Sequence, residues 1–251
     1  MNLTDVLSSK VFVKEDGAIN FQTPKTYLEP FIDVVGDKAQ EWRIKTANQV
    51  VNAEESGEKN IAYPRIAIEA DLGISQVQNG LPNFFSGTVG MLYALDMQKP
   101  IVKVYTGLNV RSCLNLTIFN AEHVFQQELL GNYREVYSRA SSYMKSIEKR
   151  EKEYQKIYND LKVELNEEGL NELIGYLVRR GSKDKIGLTP ITGAVKLLEA
   201  PGTNYSIYDA DNKFHCTKWN VFNSITQVLS GNKDFTDVPT KTISLAKLFL
   251  N

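Results

Sequence analysis

Four runs in the first half of the chain, WRIKTANQVV, YPRIAIEA, TVGMLYALD and PIVKVYTGL, are rich in β-branched and aromatic residues whose apolar and polar positions partly alternate. A period near two in such residues predicts strands, and their succession favours an antiparallel meander. The pattern is interrupted by GISQVQNGLPNFFSG (73–87), a loop punctuated by Gly, Asn and Pro that presents Phe84 and Phe85 together. From Asn120 the period becomes helical. NAEHVFQQELLG reads as a helix capped by Asn120 and stopped at Gly131, and a long helix follows near 133–161. Shorter helices are predicted at 167–180, 189–199, 217–229 with Thr217 as N-cap, and 240–250 after Pro239. Strands first and helices second give the α+β class, an N-terminal antiparallel meander covered on one face by C-terminal helices. No repeat or low-complexity linker divides the chain. It reads as one domain over 1–251, mainly β to residue 119 and mainly α from 120.

The helix at 217–229 carries a second pattern. Trp219, Phe222, Ile225, Thr226 and Leu229 recur at steps of three and four and form a packing face. The other stripe, Asn220, Asn223, Ser224 and Gln227, is polar but uncharged where a surface helix usually carries Lys and Glu. Such a stripe suits a covered surface. The cover is another segment of the chain, a second subunit, or a nucleic-acid backbone.

Composition narrows the function classes. The chain has 251 residues, 42% of them hydrophobic, which is enough for a full core. Its net charge of −1 provides no global attraction to nucleic acid or an anionic membrane, so any polyanion site must be local. The positive balance begins after Pro100. Between Arg134 and Lys156 there are seven basic and four acidic residues, with Tyr133, Tyr137, Tyr143, Tyr154 and Tyr158 in or beside the run. Cations that follow phosphates and rings that stack on bases are the equipment of single-strand binders. Mixed charges at helical spacing also describe an ordinary solvated face with i,i+4 pairs. The N-terminus lacks the basic start and apolar run of a signal peptide, and no apolar stretch approaches membrane-spanning length. A cytoplasmic protein without a membrane partner is expected, in which Cys113 and Cys216 are reduced, buried thiols.

Catalytic patterns are missing. There is no P-loop and no dinucleotide fingerprint, and His123, His215, Cys113 and Cys216 show no zinc-site spacing. Glu69, Asp71 and Asp96 with Lys99 loosely resemble a nuclease cluster, but the spacing does not fit, and Asp71 and Asp96 sit beside turn residues that favour Asp for local hydrogen bonds. No catalytic residue, metal ligand or cofactor is therefore assigned. The expectation is a protein that is not an enzyme.

Between the meander and the first expected helix, VYTGLNVRSCLNLTIFN sets Arg111 among Asn109, Asn115, Thr117 and Asn120 in an apolar frame. An arginine held there seeks a carboxylate, a phosphate or several carbonyls. Together with TKWNVFNSITQVL, the segment NVRSCLN resembles a phage- and plasmid-borne domain family of unknown function. Members of that family tend to show an Arg-x-x-Cys-x-Asn-like stretch and a later Thr-x-Trp-x-x-x-Asn-Ala-x-Thr-Glu-like helix. Arg111, Cys113 and Asn115 correspond to the first, with one residue fewer between Arg111 and Cys113, and Thr217, Trp219, Asn223 and Thr226 match the second. Leu116 stands where the family tends to have Gly, Ser224 replaces Ala, and Gln227 replaces Glu. The resemblance implies a mobile-element setting among DNA-metabolism and anti-restriction functions, and it brings no activity. The layout is also similar in architecture to ATP-independent strand-annealing proteins of phages.

Two functional readings follow. In the first, a phage or mobile-element protein binds single-stranded DNA as a homo-oligomer and serves as an annealing or recombination accessory. Lys99, Lys103, Arg111 and Lys218 then engage phosphates, and Tyr93, Tyr105 or Phe84 stack on bases. In the second, it is a non-enzymatic protein-interaction module of a phage, host-directed, anti-defence or structural, using Phe84, Phe85 and the Asn/Ser/Gln stripe. The near-neutral charge favours the second.

Overall fold

The computed structural model describes residues 24–51, 61–73, 85–94, 101–110, 115–117, 124–128, 133–184, 186–231 and 237–250. The elements are α1 (Pro24–Val35), a 3-10 turn (Gly36–Lys38), β1 (Glu41–Val51), β2 (Ile61–Asp71), β3 (Phe85–Ala94), β4 (Ile101–Val110), β5 (Asn115–Thr117) and β6 (Val124–Glu128). They continue with α2 (Tyr133–Lys145), α3 (Ile147–Leu161), β7 (Glu164–Leu165), α4 (Glu167–Gly181), α5 (Leu188–Glu199), β8 (Cys216–Thr217), α6 (Lys218–Ser230) and α7 (Val238–Leu250). The fold class is α+β, as the alternation predicts. The sheet runs β1-β2-β3-β4 in order, and β5 and β6 both pair with β4.

The chain reads as one continuous domain, yet it divides into two compact units with interleaved segments. The first holds residues 1–74, 87–106 and 122–147, and the second holds 75–86, 107–121 and 148–251. Because the chain passes between the units several times, no linker composition marks the division.

In the first unit, Ile66, Ile68, Ala70, Val89, Met91, Tyr93, Val102 and Val104 point to one side of the sheet. They pack against Tyr27, Leu28, Phe31 and Val35 of α1 and against Val136, Ala140, Tyr143 and Met144 of α2. Strand register places Ile68 opposite Met91 and Ile44, so one apolar face runs across three strands. The other face is buried as well, but it is polar: Glu69, Asp71, Thr88, Lys103 and Tyr105 are all buried. A sheet covered on both sides explains why the runs alternate only in part.

Two expected elements differ. The helix expected over 120–131 is replaced by β6, whose Val124–Glu128 pairs antiparallel with Ile101–Tyr105. The outer edge of β4 needs partners for its backbone groups, and that requirement overrides the weak helical spacing of a five-residue run with Val and Phe at its head. The long helix near 133–161 is two helices that separate at Ser146. There the Ser146 N–H is shared between the carbonyls of Ser142 (3.1 Å) and Tyr143 (3.2 Å), and its hydroxyl also donates to Tyr143 O. Neither Gly nor Pro marks this break.

The second unit has its own core, built from Tyr154, Tyr158, Leu161, Leu177, Ile191, Leu198, Trp219, Phe222, Ile225, Leu229, Leu245 and Phe249 among others. Trp219 stacks on Phe222 (5.8 Å) and meets Tyr158 edge-on (5.2 Å). Thr217 caps α6 through a capping box with Asn220, as its position ahead of the apolar run predicts. Gly187, with φ +85°, opens α5 in a conformation that favours glycine.

Candidate nucleic-acid interface

Three of the residues expected to hold nucleic acid, Tyr93, Tyr105 and Lys103, are buried. Tyr93 is fully buried, its ring 6.2 Å from Tyr27, and burial raises its phenol pKa, with Tyr27 adding to the shift. Tyr105 is 1% exposed and donates a 2.9 Å hydrogen bond to Glu69 Oε1. Burial first, then the charge and hydrogen bond of Glu69, lift its phenol well above the usual range. Neither ring can stack on a base. Lys103 is 4% exposed, so its ammonium is not a surface contact for phosphate. Tyr93 is buried on the face that packs against α1, and Tyr105 and Lys103 are buried on the opposite face.

Lys218 is half-buried at the start of α6, in the second unit. Lys99, Phe84, Arg111 and Cys113 lie outside the described residues. Asn115 begins β5, pairs with Val110, and sits in a strand that lies against α6 and α7. β5, which begins at Asn115 of the first segment, and α6, which carries the second, therefore lie together in the second unit. Trp219 and Asn223 are buried there.

In the uncharged stripe of α6, Asn223 and Ser224 are buried and Asn220 and Gln227 are half-buried. Ser224 donates to Val221 O (2.9 Å), Thr226 donates to Asn223 O (2.9 Å), and Gln227 Oε1 accepts from the Tyr205 hydroxyl (3.1 Å). Asn220 is spent in the capping box, its Oδ1 accepting the Thr217 N–H at 2.9 Å. Of the three covers expected for this stripe, the chain itself provides one. Cys216 is a buried thiol pushed up to about 11 by burial, so it stays protonated and unreactive at neutral pH. Asp71 keeps the structural role its turn context predicts, accepting from Gly73 N–H (2.8 Å) and pairing with Arg43 (3.0 Å).

An accessible surface of the required chemistry does exist on α2. Val136, Ala140, Tyr143 and Met144 fix the buried face. Arg134, Tyr137, Ser138, Ser141, Ser142 and Lys145 then follow at steps of three and four on the other side. The helix's acidic residue, Glu135, stands at the edge of this stripe, seven residues before Ser142. Tyr137 is 51% exposed, while Tyr143, Tyr154 and Tyr158 of the same aromatic run are buried. Tyr137, Ser138, Ser141, Ser142, Lys145 and Ser146 line an open cleft of about 570 Å³.

Among the serines that line this cleft, Ser146 turns its hydroxyl back onto Tyr143 O. In helices and turns elsewhere, Thr192, Thr203, Ser206, Ser224, Thr226 and Thr242 all turn back onto carbonyls. Among the described residues, Ser138, Ser141 and Ser142 make no side-chain hydrogen bond, and Lys145 makes no ion pair. Donors, acceptors, a cation and a ring face thus remain available in one cleft. The sequence pointed to this segment by its mixture of basic and aromatic residues. What it could not tell was which tyrosine faces outward.

No protein-family model matches the chain, and comparison with curated proteins and with solved structures gives no significant match. Among the described residues, no helix is long and apolar enough to cross a membrane.

Proposed function

We propose that the protein binds single-stranded DNA along the exposed face of α2, without catalysis, as an accessory to strand annealing or recombination. The observation that carries this reading is the open cleft in which exposed Tyr137 stands beside the hydroxyls of Ser138, Ser141 and Ser142 and the ammonium of Lys145. Tyr137 offers a stacking platform to an unpaired base, Lys145 meets a phosphate, and the serines hydrogen-bond to phosphate or sugar oxygens. The chain's near-neutral charge is compatible with this arrangement, because the cations needed are local.

The test is fluorescence anisotropy of a labelled oligo-dT titrated with the protein at several salt concentrations. Tyr137→Ala is expected to weaken binding by about 1–3 kcal/mol, roughly 5- to 150-fold, the usual contribution of one base–aromatic stack. Unchanged affinity in that variant would overturn the assignment of α2. Because Tyr137 lies off the core, the variant should retain the wild-type circular dichroism spectrum.

A further inference from the structure

We propose that the turn joining α4 to α5 is a second contact for nucleic acid, one that holds the sugar-phosphate backbone and accepts single strands and duplex alike. The inference takes nucleic acid as the partner from the function proposed above, and its own evidence lies on the second unit. The run RRGSKD (179–184) places three basic residues beside one acid. That acid is spent on Arg180, whose Nε lies 3.6 Å from Asp184 Oδ2. Arg179 and Lys183 are exposed, and among the described residues neither has an ion-pair partner. The backbone stays helical past the end of α4, since the N–H of Asp184 donates to Arg180 O at 3.0 Å. Arg179 and Lys183 therefore stand one turn apart, about 6 Å along the axis, where like charges repel. A polyanion relieves that repulsion. The turn that presents these cations is fixed: Gly181 O accepts the N–H groups of Ile186 (3.0 Å) and Gly187 (3.1 Å), and a β-carbon at Gly181 would fall 2.7 Å from Ile191 Cδ1.

The dipole of α4 favours cations at its end, which accounts for basic residues here but not for apolar ones. Val178 (39% exposed) and Leu188 (49%) nevertheless flank the turn in the open. Cations for the phosphates, with aliphatic groups for the sugars between them, match the backbone of a nucleic acid. An anionic membrane is the poorer fit, because α4 packs Leu170, Leu173, Ile174 and Leu177 against the core of its unit and leaves too little apolar surface for an interfacial helix. Segment 178–192 contains no aromatic residue. It supplies no stacking ring, and what its cations meet is the phosphate that strand and duplex share.

The experiment titrates a labelled twenty-nucleotide oligo-dT and a twenty-base-pair duplex, from about 20 to 200 mM salt, with wild type, the double variant Arg179→Gln, Lys183→Gln, and the single variants Asp184→Asn and Tyr137→Ala. Two phosphates held by the turn give a duplex slope of log K against log salt of about −1.8, so a tenfold drop in salt strengthens duplex binding about 60-fold. The double variant should lose that dependence, and its slope on oligo-dT should become shallower by about 1.4. Asp184→Asn frees Arg180 and should steepen the duplex slope by about 0.9. Tyr137→Ala should weaken oligo-dT binding and leave duplex binding as it is. A double variant that keeps the wild-type slope and duplex affinity overturns the inference and leaves the α2 reading standing, as does a wild type that binds oligo-dT but no duplex at the lowest salt. Stronger binding to vesicles of phosphatidylserine and phosphatidylcholine than to duplex, dependent on Arg179 and Lys183, also overturns it by putting a membrane in place of nucleic acid. If Tyr137→Ala binds oligo-dT as wild type does while the double variant loses it, the α2 reading fails and the turn remains the contact. If neither oligonucleotide binds at the lowest salt, both fail.

Discussion

Tyr105 reaches Glu69 across β3 because Gly90, the strand neighbour paired with Glu69, has no side chain to stop it. A β-carbon at Gly90 would fall 2.3 Å from the Tyr105 ring. Gly90→Ala should therefore push the ring out of place and cost about 1–3 kcal/mol, read as a lower urea midpoint with an unchanged m-value. Glu69 is 3% exposed, and among the described residues its Oε2 has no hydrogen-bond partner, so the carboxylate leans on the phenol. Tyr105→Phe should cost a further quantity of the same order, about 1–3 kcal/mol, by leaving a buried carboxylate less satisfied. A neutral result for Tyr105→Phe would mean that the bond contributes nothing net. On the surface, Asp209 accepts the backbone N–H of Lys213 first and foremost, then that of Asp211, and lies 3.2 Å from His215 Nε2. These contacts hold its carboxyl below the usual value of 3.8. A folded pKa below the unfolded one gives stability that is complete above the unfolded value and disappears as pH falls through the folded one. The turn at 209–213 should accordingly open below about pH 4, with amide exchange at Lys213 rising. In Asp209→Asn, exchange at Lys213 should no longer change across that range.

At the scale of elements, legibility followed how much of the signal was local. The helices at 167–181, 188–199, 218–230 and 238–250 end within two residues of their expected bounds, because caps, Pro239 and a strong apolar period mark them. The capping box of α6 makes this testable: Thr217→Ala removes the acceptor for the Asn220 N–H and should cost about 1 kcal/mol, measured by thermal or urea unfolding. Where pairing partners were distant in sequence, reading failed. β6 exists because β4 has an edge to complete, α1 carries Pro30 in its interior and was not expected, and nothing in the composition near Ser146 announces a helix end. The candidate site was half legible for the same reason. The basic and aromatic run is a local feature and was visible. Which of its tyrosines is exposed depends on how α2 packs on α1 and the sheet, and which sheet face is wet depends on coverage that alternation cannot report.

For the whole molecule, two cores share one chain whose path alternates between them. β4 illustrates the consequence: it belongs to the first unit through Thr106 and to the second from Gly107, where it pairs with β5, the strand seated against α6 and α7. Because one continuous strand carries backbone pairing of both units, with β6 in the first and β5 in the second, the units should unfold together despite having separate apolar clusters. Two tryptophans allow this to be measured, since the chain has two in all. Trp42 stands edge-on to Phe31 (6.3 Å) in the first unit, and Trp219 is buried in the second. In Trp219→Phe the remaining fluorescence follows the first unit, and in Trp42→Phe it follows the second. Within each variant, the urea midpoint by fluorescence should coincide with the midpoint by far-ultraviolet circular dichroism. If Trp42 fluorescence were lost at lower urea than the helical signal, the units would be thermodynamically separable. The passage of β4 from one unit to the other would then be a connection without coupling.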